Sequence, residues 1–369
     1  MARPKLPPDA SPLILRLRLM LLMGAAPAVA FLAVQGAAVR IGTLVATVAL
    51  FALVGPRVRF GFGDRPHPPW LVHGVVPAFD AWWTGVQMLP PLVVLGLPLY
   101  FAFGLRIAGW TVLALGALAG LYGVTVGRHA VRTRRVEVAI EGLAEALDGY
   151  RIVHLSDLHI GSWTTAAAAQ RWVARSNALS PDLVAITGDF LTSGPDFHAE
   201  VVRGLSGLSG RDGVFACLGN HDYYEEDALV TGLSGVGIRV LRNEGVALRE
   251  GLFVAGIEDM WKGRPDLPAA LEQREGATTV LLAHHPEEFP HASRHEVDLT
   301  LSGHTHAGQV AVPWLVKASN LAHLTTRYPF GLYRDGGHHL HVSAGLGTTG
   351  PMFRLGAAPE VVEIVLRRR

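Results

Sequence analysis

The pattern of apolar and polar positions changes near residue 135. Before that point, uncharged apolar stretches follow one another, separated by single or clustered arginines: residues 19–39, 41–56, 81–105 and 107–127. Lengths near twenty residues suit helices that cross a bilayer. The second stretch is short for a span, so the first two could instead form a tight hairpin. We predict an N-terminal all-α membrane domain over residues 1–135, with about four transmembrane helices.

From residue 136 onward, short β-branched runs alternate with polar or helix-like segments, which is typical of an α/β domain. Residues 136–140 alternate as an edge strand would. Nearly continuous apolar runs, typical of strands covered on both faces, occupy residues 151–155, 183–187 and 279–283. Helices are expected over residues 164–179, 196–208 and 225–233. We therefore predict a second, C-terminal domain over residues 136–369.

Polar islands follow the apolar runs in this C-terminal part. They are Asp157-Leu158-His159, Gly188-Asp189, Gly219-Asn220-His221-Asp222, His284, and Gly303-His304-Thr305-His306. Open α/β sheets bind ligands at the carboxyl ends of their strands, so these islands should converge in one cleft. His285 directly follows His284 and should point to the opposite face if the segment is extended, which favours His284 as the ligand.

The residue types of the islands predict metal chemistry. Imidazole and carboxylate ligands together suit Zn, Mn, Fe or Co better than Ca or Mg, which prefer all-oxygen sites. A single Asp can bridge two ions, and two ions about 3.5–4 Å apart can stabilise the attacking and leaving oxygens of a displacement at phosphorus. Cys217 is the only cysteine, which excludes a multi-thiolate metal site and an intrachain disulfide.

The order and spacing of the islands resemble the calcineurin-like metallophosphoesterase family. The resemblance implies an α/β sandwich of two mixed sheets flanked by helices, with two divalent transition-metal ions at one end. The first ion would be bound by Asp157, His159, Asp189 and His306. The second would be bound by Asp189, Asn220, His284 and His304. His221 would stabilise the transition state or protonate the leaving oxygen, and Asp222 would orient His221.

Further motifs are similar to a subgroup that often carries N-terminal transmembrane segments. They are Gly256-Ile257-Glu258-Asp259, residues 303–310, and residues 345–350 with Arg354 and Pro359-Glu360. Members of this subgroup include phosphodiesterases, and related enzymes cleave the pyrophosphate of a lipid-linked nucleotide. Arg354 could grip a substrate phosphate, although a structural role is equally consistent with its position. The resemblance therefore predicts a metal-dependent phosphodiesterase or pyrophosphatase that uses a metal-bound hydroxide.

Charge is divided unequally between the two parts. Residues 1–135 carry thirteen Lys and Arg against three acids, whereas the remainder carries 19 basic and 28 acidic residues. Eleven of the thirteen N-terminal cations fall on one side of the predicted spans, which places the C-terminal domain in the cytoplasm by the positive-inside rule. Residues 28–30 resemble a signal-peptidase site, but three further apolar stretches follow, so a membrane protein is expected even after cleavage.

The charge division and the complete ligand set both bear on the alternative functions. A nuclease of this fold would need a basic groove beside the metals, and the acidic balance of residues 136–369 argues against a nucleic-acid partner. A non-catalytic, metal-binding membrane regulator would be expected to lack one or more ligands, and none is missing. We expect an integral membrane enzyme of the inner or plasma membrane whose substrate is a phosphate ester, with a lipid-linked or nucleotide compound favoured.

Overall fold

The computed structural model describes residues 10–33, 41–42, 45–46, 48–49, 51–54, 66–192 and 194–369. The chain divides into two units. One consists of Met1–Arg128 together with Gly350–Leu355, and the other of His129–Thr349 together with Gly356–Arg369. The short segment Gly350–Leu355 therefore belongs to the first unit, although the sequence placed it within the C-terminal domain.

Helices make up most of the described part of the first unit. They are α1 (Ala10–Ala33), a π-helical turn (Leu71–Val75), α2 (Val76–Leu95) and α3 (Leu97–Thr125). Helices α2 and α3 pack closely because glycines face the contact: a Cβ on Gly120 would overlap the carbonyl of Ala81. Small residues at such contacts are typical of helices that associate within a membrane.

The predicted spans agree only in part with these helices. The stretch predicted over residues 81–105 is shared between α2 and α3, and the chain leaves helical geometry at Gly104, where φ is 80°. Among the described residues, one helix, Leu97–His129, is long and apolar enough to cross a membrane by length and composition. Buried helices of soluble proteins can share these two properties, so the four spans stay a prediction. Parts of the first two stretches lie outside the described residues.

Two six-stranded mixed sheets form the centre of the second unit. The first sheet contains, in spatial order, β1 (Arg132–Ile140), β12 (Glu360–Arg368), β2 (Arg151–Leu155), β3 (Leu183–Thr187), β4 (Val214–Cys217) and β5 (Ile238–Val240). The second contains β10 (Gly331–Asp335), β11 (His338–Val342), β9 (Leu299–Ser302), β8 (Thr278–Leu282), β7 (Leu252–Gly256) and β6 (Glu244–Arg249).

Parallel pairing dominates the middle of both sheets. Strands β2, β3, β4 and β5 run parallel, and so do β7, β8, β9 and β11. Strand β12 runs parallel to β1 and antiparallel to β2. The predicted edge strand is confirmed as β1, although it begins at Arg132 rather than Val136, because its first residues pair with the start of β12.

The hydrophobic core lies on both faces of each sheet. Between the sheets, Ile152 and Leu183 of the first pack in one cluster with Val280 of the second. On the outer face of the first sheet, Val153 and Val184 pack with residues of the neighbouring helices. Alternate residues of one strand thus face different core layers, which explains why the strand sequences are apolar throughout.

Helices cover the outer faces. They are α4 (Ala166–Asn177), α5 (His198–Leu205), α6 (Glu226–Ser234), α7 (Leu267–Ala270), α8 (Phe289–Arg294) and α9 (Val316–Ser319). The three predicted helices correspond to α4, α5 and α6. Helix α4 begins at Ala166 because the Thr165 side chain accepts a hydrogen bond from the N–H of Ala168 as its N-cap. The predicted sandwich of two mixed sheets flanked by helices is confirmed.

Candidate metal centre

The five polar islands begin at the carboxyl ends of parallel strands. They follow β2, β3 and β4 in the first sheet and β8 and β9 in the second. The N–H of His159 donates to the carbonyl of Asp189, and the N–H of Asp157 donates to the carbonyl of Gly188, so the first two islands are joined by backbone hydrogen bonds. Convergence at one edge, expected from the strand pattern, is what the structure shows.

Several island residues adopt a left-handed backbone, which costs energy for residues other than glycine. Positive φ angles of 46–66° occur at Asp157, His159, Asp189, His304 and His306. These conformations turn the side chains sharply out of the preceding strands. Backbone strain concentrated at five clustered acidic and imidazole residues points to a functional site.

One group of donors consists of Asp157, His159, Asp189 and His306, whose candidate ligand atoms lie within 4.8 Å of one another. The Nε2 of His306 lies 3.0 Å from the Nε2 of His159 and 3.3 Å from Oδ1 of Asp157. All four side chains are at most 3% exposed. Such a donor set fits a divalent ion, because two carboxylates and two imidazoles match the ligands preferred by borderline metals.

A second group lies beside the first. The Nδ1 of His304 is 3.3 Å from the Nε2 of His284, and that Nε2 is 3.3 Å from Oδ2 of Asp189. The same Oδ2 is 3.6 Å from the Nε2 of His159. One carboxylate oxygen of Asp189 therefore stands between an imidazole of each group.

Asn220 lies in the loop beside Asp189 and has an unused acceptor. Its side-chain oxygen is buried and has no hydrogen-bond partner among the residues that the structure describes. The next residue along the chain, His221, donates its N–H to Oδ1 of Asp189 at 2.9 Å. A buried amide oxygen without a partner is costly, and a metal ion would satisfy it.

Further hydrogen bonds fix the orientation of these side chains. The Nδ1 of His284 donates to the carbonyl of Thr187 at 2.7 Å, which directs its Nε2 toward Oδ2 of Asp189. The carboxylate of Asp157 accepts the N–H of His304 at 3.0 Å. Gly303 allows this approach, because a Cβ there would overlap the side chains of Ser156 and Asp157.

Electrostatics within the cluster favour ionised Asp189. Burial alone would raise its pKa, but the imidazoles of His284, His221 and His159 outweigh burial and hold the pKa well below its usual range. For His284, burial is similarly outweighed by Asp189, and its pKa rises to about 10. Burial and the neighbouring His284 lower the pKa of His304 to about 2. The cluster therefore keeps an anionic oxygen among neutral and cationic imidazoles.

The orientation of His221 differs from the expectation. Its Nδ1 donates to the backbone carbonyl of Thr192 at 2.6 Å, so Thr192 rather than Asp222 orients the ring. The carboxylate of Asp222 is fully buried and accepts the N–H groups of Gly219 and Phe190, each at 2.8 Å. Asp222 thus ties the loop after β4 to the loop after β3, and burial and nearby Asp189 raise its pKa to about 8.

Comparison with known proteins identifies the family. The profile described as Calcineurin-like phosphoesterase matches residues 150–308. A metallophosphoesterase of Bacillus subtilis named YkoQ is 31% identical over 253 residues, which cover 65% of this chain and 92% of that protein. The chain belongs to the calcineurin-like phosphoesterase family. The three relatives with which it is compared are named for a metallophosphoesterase or its domain.

Two further relatives also carry metallophosphoesterase in their names. A Danio rerio protein named transmembrane protein with metallophosphoesterase domain is 34% identical over 284 residues, covering 70% of this chain and 63% of that protein. The Bacillus subtilis metallophosphoesterase YkuE is 29% identical over 269 residues, covering 69% of this chain and 93% of that protein. The chain thus spans less than two thirds of the Danio rerio relative.

His285 belongs to the phosphoesterase site, contrary to the prediction that it points away. Its ring centroid lies 3.9 Å from that of His304, and its Nε2 lies 2.9 Å from Oδ2 of Asp259. His284, His285 and His304 also form a candidate metal-binding group of their own. Asp259 comes from the loop after β7, so sequence alternation along the β8 segment could not reveal the pairing.

Two subgroup motifs contact each other in the phosphoesterase unit. Gln309 donates its side-chain amide to the carbonyl of Thr349, and the N–H of Thr349 donates to Gln309 Oε1, both at 3.0 Å. In the same glycine-rich motif, the N–H of Gly347 donates to the carbonyl of Asp157 at 2.7 Å. These motifs therefore support the loop that carries Asp157.

Arg354 and Cys217 lie outside the metal cluster. Arg354 is fully buried in the segment that belongs to the first unit, where its N–H donates to the carbonyl of Gly123 at 3.0 Å. Contact of Arg354 with a substrate phosphate stays a prediction. Cys217 is fully buried at the end of β4, where burial raises the pKa of its thiol, so it is a core residue.

Proposed function

We propose that the protein is a dinuclear metallohydrolase that cleaves a phosphodiester or pyrophosphate bond. The observation that carries the proposal is the position of Asp189, whose Oδ2 lies 3.3 Å from His284 Nε2 and 3.6 Å from His159 Nε2. An oxygen shared between two donor groups is the arrangement that a bridging carboxylate requires. Two neighbouring ions, when bound, supply an activated water and neutralise phosphate charge.

The chain offers a full set of ligands for each ion. Asp157, His159, Asp189 and His306 would hold the first. Asp189, Asn220, His284 and His304 would hold the second. Mixed imidazole, carboxylate and amide donors fit Mn, Zn, Fe or Co. Asp189 would be the ligand shared by both ions. Asp157 also accepts the N–H of His304, which fixes the loop that carries two of the imidazoles.

His221 is the proposed acid beside the metals. Its ring centroid lies 5.0 Å from that of His159, and Thr192 holds its Nδ1. With Nδ1 engaged, Nε2 is the nitrogen left to stabilise the developing charge or to deliver a proton to the leaving oxygen. Asp222 acts on this residue only through the backbone of their shared loop.

Replacement of Asp189 by Asn tests the function. The bridging ligand is weakened while its size is kept, so we expect loss of at least one metal equivalent and a fall in hydrolysis of bis-p-nitrophenyl phosphate of about 100-fold or more. Asp335→Asn, on the exposed end of β10, is the matched control and should retain both properties. Full metal content and full activity in Asp189→Asn would refute the dinuclear assignment.

A membrane location with a cytoplasmic catalytic unit is the second part of the proposal. It is supported by the apolar helix Leu97–His129, by the excess of Lys and Arg on one side of the apolar stretches, and by the name of the Danio rerio relative. A site held close to a bilayer favours an amphiphilic substrate, such as a phospholipid or a lipid-linked nucleotide. The acidic balance of residues 136–369 disfavours nucleic acid.

The single cysteine allows a direct test of topology. Cys217 is fully buried, so an added cysteine at the exposed Asp335 would be the reactive thiol. We expect a membrane-impermeant maleimide to label Asp335→Cys only after cells are permeabilised. The unchanged protein measures background labelling. Strong labelling of intact cells would overturn the cytoplasmic placement.

A further inference from the structure

An exposed tryptophan lies against the imidazoles of the metal centre. The indole of Trp261 is 64% exposed, yet its ring centroid is 4.4 Å from that of His285 and 4.6 Å from that of His304. The indole stands nearly perpendicular to His304, with an interplanar angle of 88°. A large aromatic surface thus remains open to solvent directly beside a proposed metal ligand.

The loop that carries Trp261 is firmly held. Oδ1 of Asp259 accepts the N–H groups of Trp261 and Lys262, each at 2.9 Å, and the N–H of Asp259 donates to the Tyr223 hydroxyl at 3.0 Å. The N–H of Gly263 donates to the carbonyl of Asp259. Because Oδ2 of Asp259 lies 2.9 Å from His285, one carboxylate fixes both the indole loop and the imidazole below it.

A purely structural role does not explain this indole. A tryptophan with a packing role buries its ring, as Trp172 of helix α4 does at 8% exposure in the core. Trp261 instead leaves most of its surface in water, while hydrogen bonds through Asp259 already fix the loop. A rigid aromatic side chain loses little entropy on binding, so a held and exposed indole is suited to contact a ligand.

We propose that Trp261 stacks on a planar ring carried by the substrate, and that it selects phosphate esters of aromatic or nucleobase-containing groups. The proposal rests on the proposed function and names the substrate class of the same site. A group attached to a phosphate held by His304 and its neighbours would extend past the indole. Aromatic rings pack at centroid separations of about 4.5–7 Å, so an open indole face offers a second ring a favourable place.

The surroundings of the indole favour a flat polar ring over an acyl chain. Lys262 and Arg264 are exposed on the same loop, and Asp259 lies at its base. An acyl chain would need a continuous apolar surface, whereas on this loop the side chain of Met260, 39% exposed, is followed by the exposed charges of Lys262 and Arg264. Cations beside an aromatic platform are a combination that recurs where nucleotides bind.

Two esters with one leaving group test the proposal in the full-length, metal-loaded protein. Phenyl p-nitrophenyl phosphate and methyl p-nitrophenyl phosphate release the same p-nitrophenolate. The ring that the proposal places on Trp261 is that of the retained group, which the methyl ester lacks. We expect Trp261→Ala to lower kcat/KM for the phenyl ester by roughly tenfold and for the methyl ester by less than about threefold. Trp261→Phe should retain most of the kcat/KM for the phenyl ester that Trp261→Ala loses. Trp314→Ala, which removes an 87% exposed indole, is the matched control and should change neither ester.

Binding without turnover separates this proposal from the proposed function. Calorimetry with phenylphosphonate and methylphosphonate, whose P–C bonds are not hydrolysed, should show a preference for the phenyl compound that Trp261→Ala abolishes. If Trp261→Ala weakened the binding of both phosphonates equally, the proposal would be overturned. It would also be overturned if Trp261→Ala lowered kcat/KM more for dodecyl p-nitrophenyl phosphate than for the phenyl ester, because that would indicate an acyl-chain site. Absence of hydrolysis in the unchanged protein would refute the proposed function, while calorimetry would still decide the role of Trp261.

Discussion

The Nε2 atoms of His159 and His306 lie 3.0 Å apart, although the two residues follow strands of different sheets. His159 comes after β2 of the first sheet, and His306 comes after β9 of the second. The site therefore forms only when the two sheets pack in the correct register. The inter-sheet core that joins Ile152 to Val280 is, for this reason, also what sets the spacing of the donors.

Asn220→Ala should remove one metal equivalent and leave the other. The change deletes an amide oxygen that is buried without a partner among the described residues, so the fold loses no hydrogen bond of that oxygen. Metal analysis of the purified protein measures the result. Gln273→Ala, which truncates an exposed amide, is the control and should bind metal normally. Retention of both equivalents by Asn220→Ala would exclude Asn220 as a ligand.

His221→Gln should lower kcat while metal content stays unchanged. General acid catalysis contributes typically about 10²–10⁴-fold, and it matters most when the leaving oxygen is basic. We expect a loss of about 100-fold or more for an alkyl diester and a much smaller loss for a p-nitrophenyl ester, whose leaving group needs no proton. A loss of equal size for both esters would contradict the acid role and would favour charge stabilisation.

Gly303→Ala should destabilise the site by steric overlap. The added Cβ would meet the side chains of Ser156 and Asp157, and overpacking of this kind costs typically about 1–3 kcal/mol. Thermal unfolding and metal content measure the effect. The double variant with Ser156→Ala should recover part of the lost stability, because one of the two overlapping groups is removed. Gly336→Ala is the comparison. A Cβ there would meet no other atom, so any loss of stability would come from the positive φ of this loop glycine.

Acidification should weaken the contact between the sheets through His154 and His341. Their Nδ1 atoms lie 3.3 Å apart, and burial lowers the pKa of His154 to about 3. Burial and the neighbouring His154 hold the pKa of His341 well below its usual range. Because both pKa values are depressed in the folded state, their contribution to stability is complete above the unfolded pKa of about 6.5 and is lost as the pH falls below it.

Hydrogen exchange of β2 and β11 measures this effect. With a chelator present throughout, the opening free energy should fall by up to about 1.4 kcal/mol per pH unit for each histidine below pH 6.5. His341→Gln should show a smaller dependence, and the exposed control His323→Gln should behave as the unchanged protein does. The same slope in all three proteins would contradict a role for the buried pair.

The sequence predicted the site where the signal is local. Asp157, Asp189 and His284 each follow an apolar run, and the strands end where the runs end, so the convergence of these residues could be expected. Where a side chain is oriented by the backbone of a distant segment, the sequence contains no comparable signal. The carbonyl of Thr192 that orients His221 has no side-chain signature, and the family resemblance implies Asp222 for that role instead.

Contacts between loops that are distant in sequence could not be predicted from the apolar and polar pattern either. His285 was expected to point away because alternation along an extended segment was the only available guide. Its partner Asp259 and its neighbour His304 come from the loops after β7 and β9. The segment Gly350–Leu355 likewise belongs to the first unit, where Oδ2 of the buried Asp80 accepts the N–H of Met352 at 2.8 Å.

Strand β12 has a consequence for the order of assembly during synthesis. It lies between β1 and β2, so the first sheet has a gap until residues 360–368 have left the ribosome. Until then β2, which leads into Asp157 and His159, presents an unpaired edge, and such edges expose a nascent chain to misfolding and aggregation. Metal loading at Asp157 is therefore expected to be a late, post-translational event, and a chain truncated before Glu360 should be recovered as metal-poor aggregate.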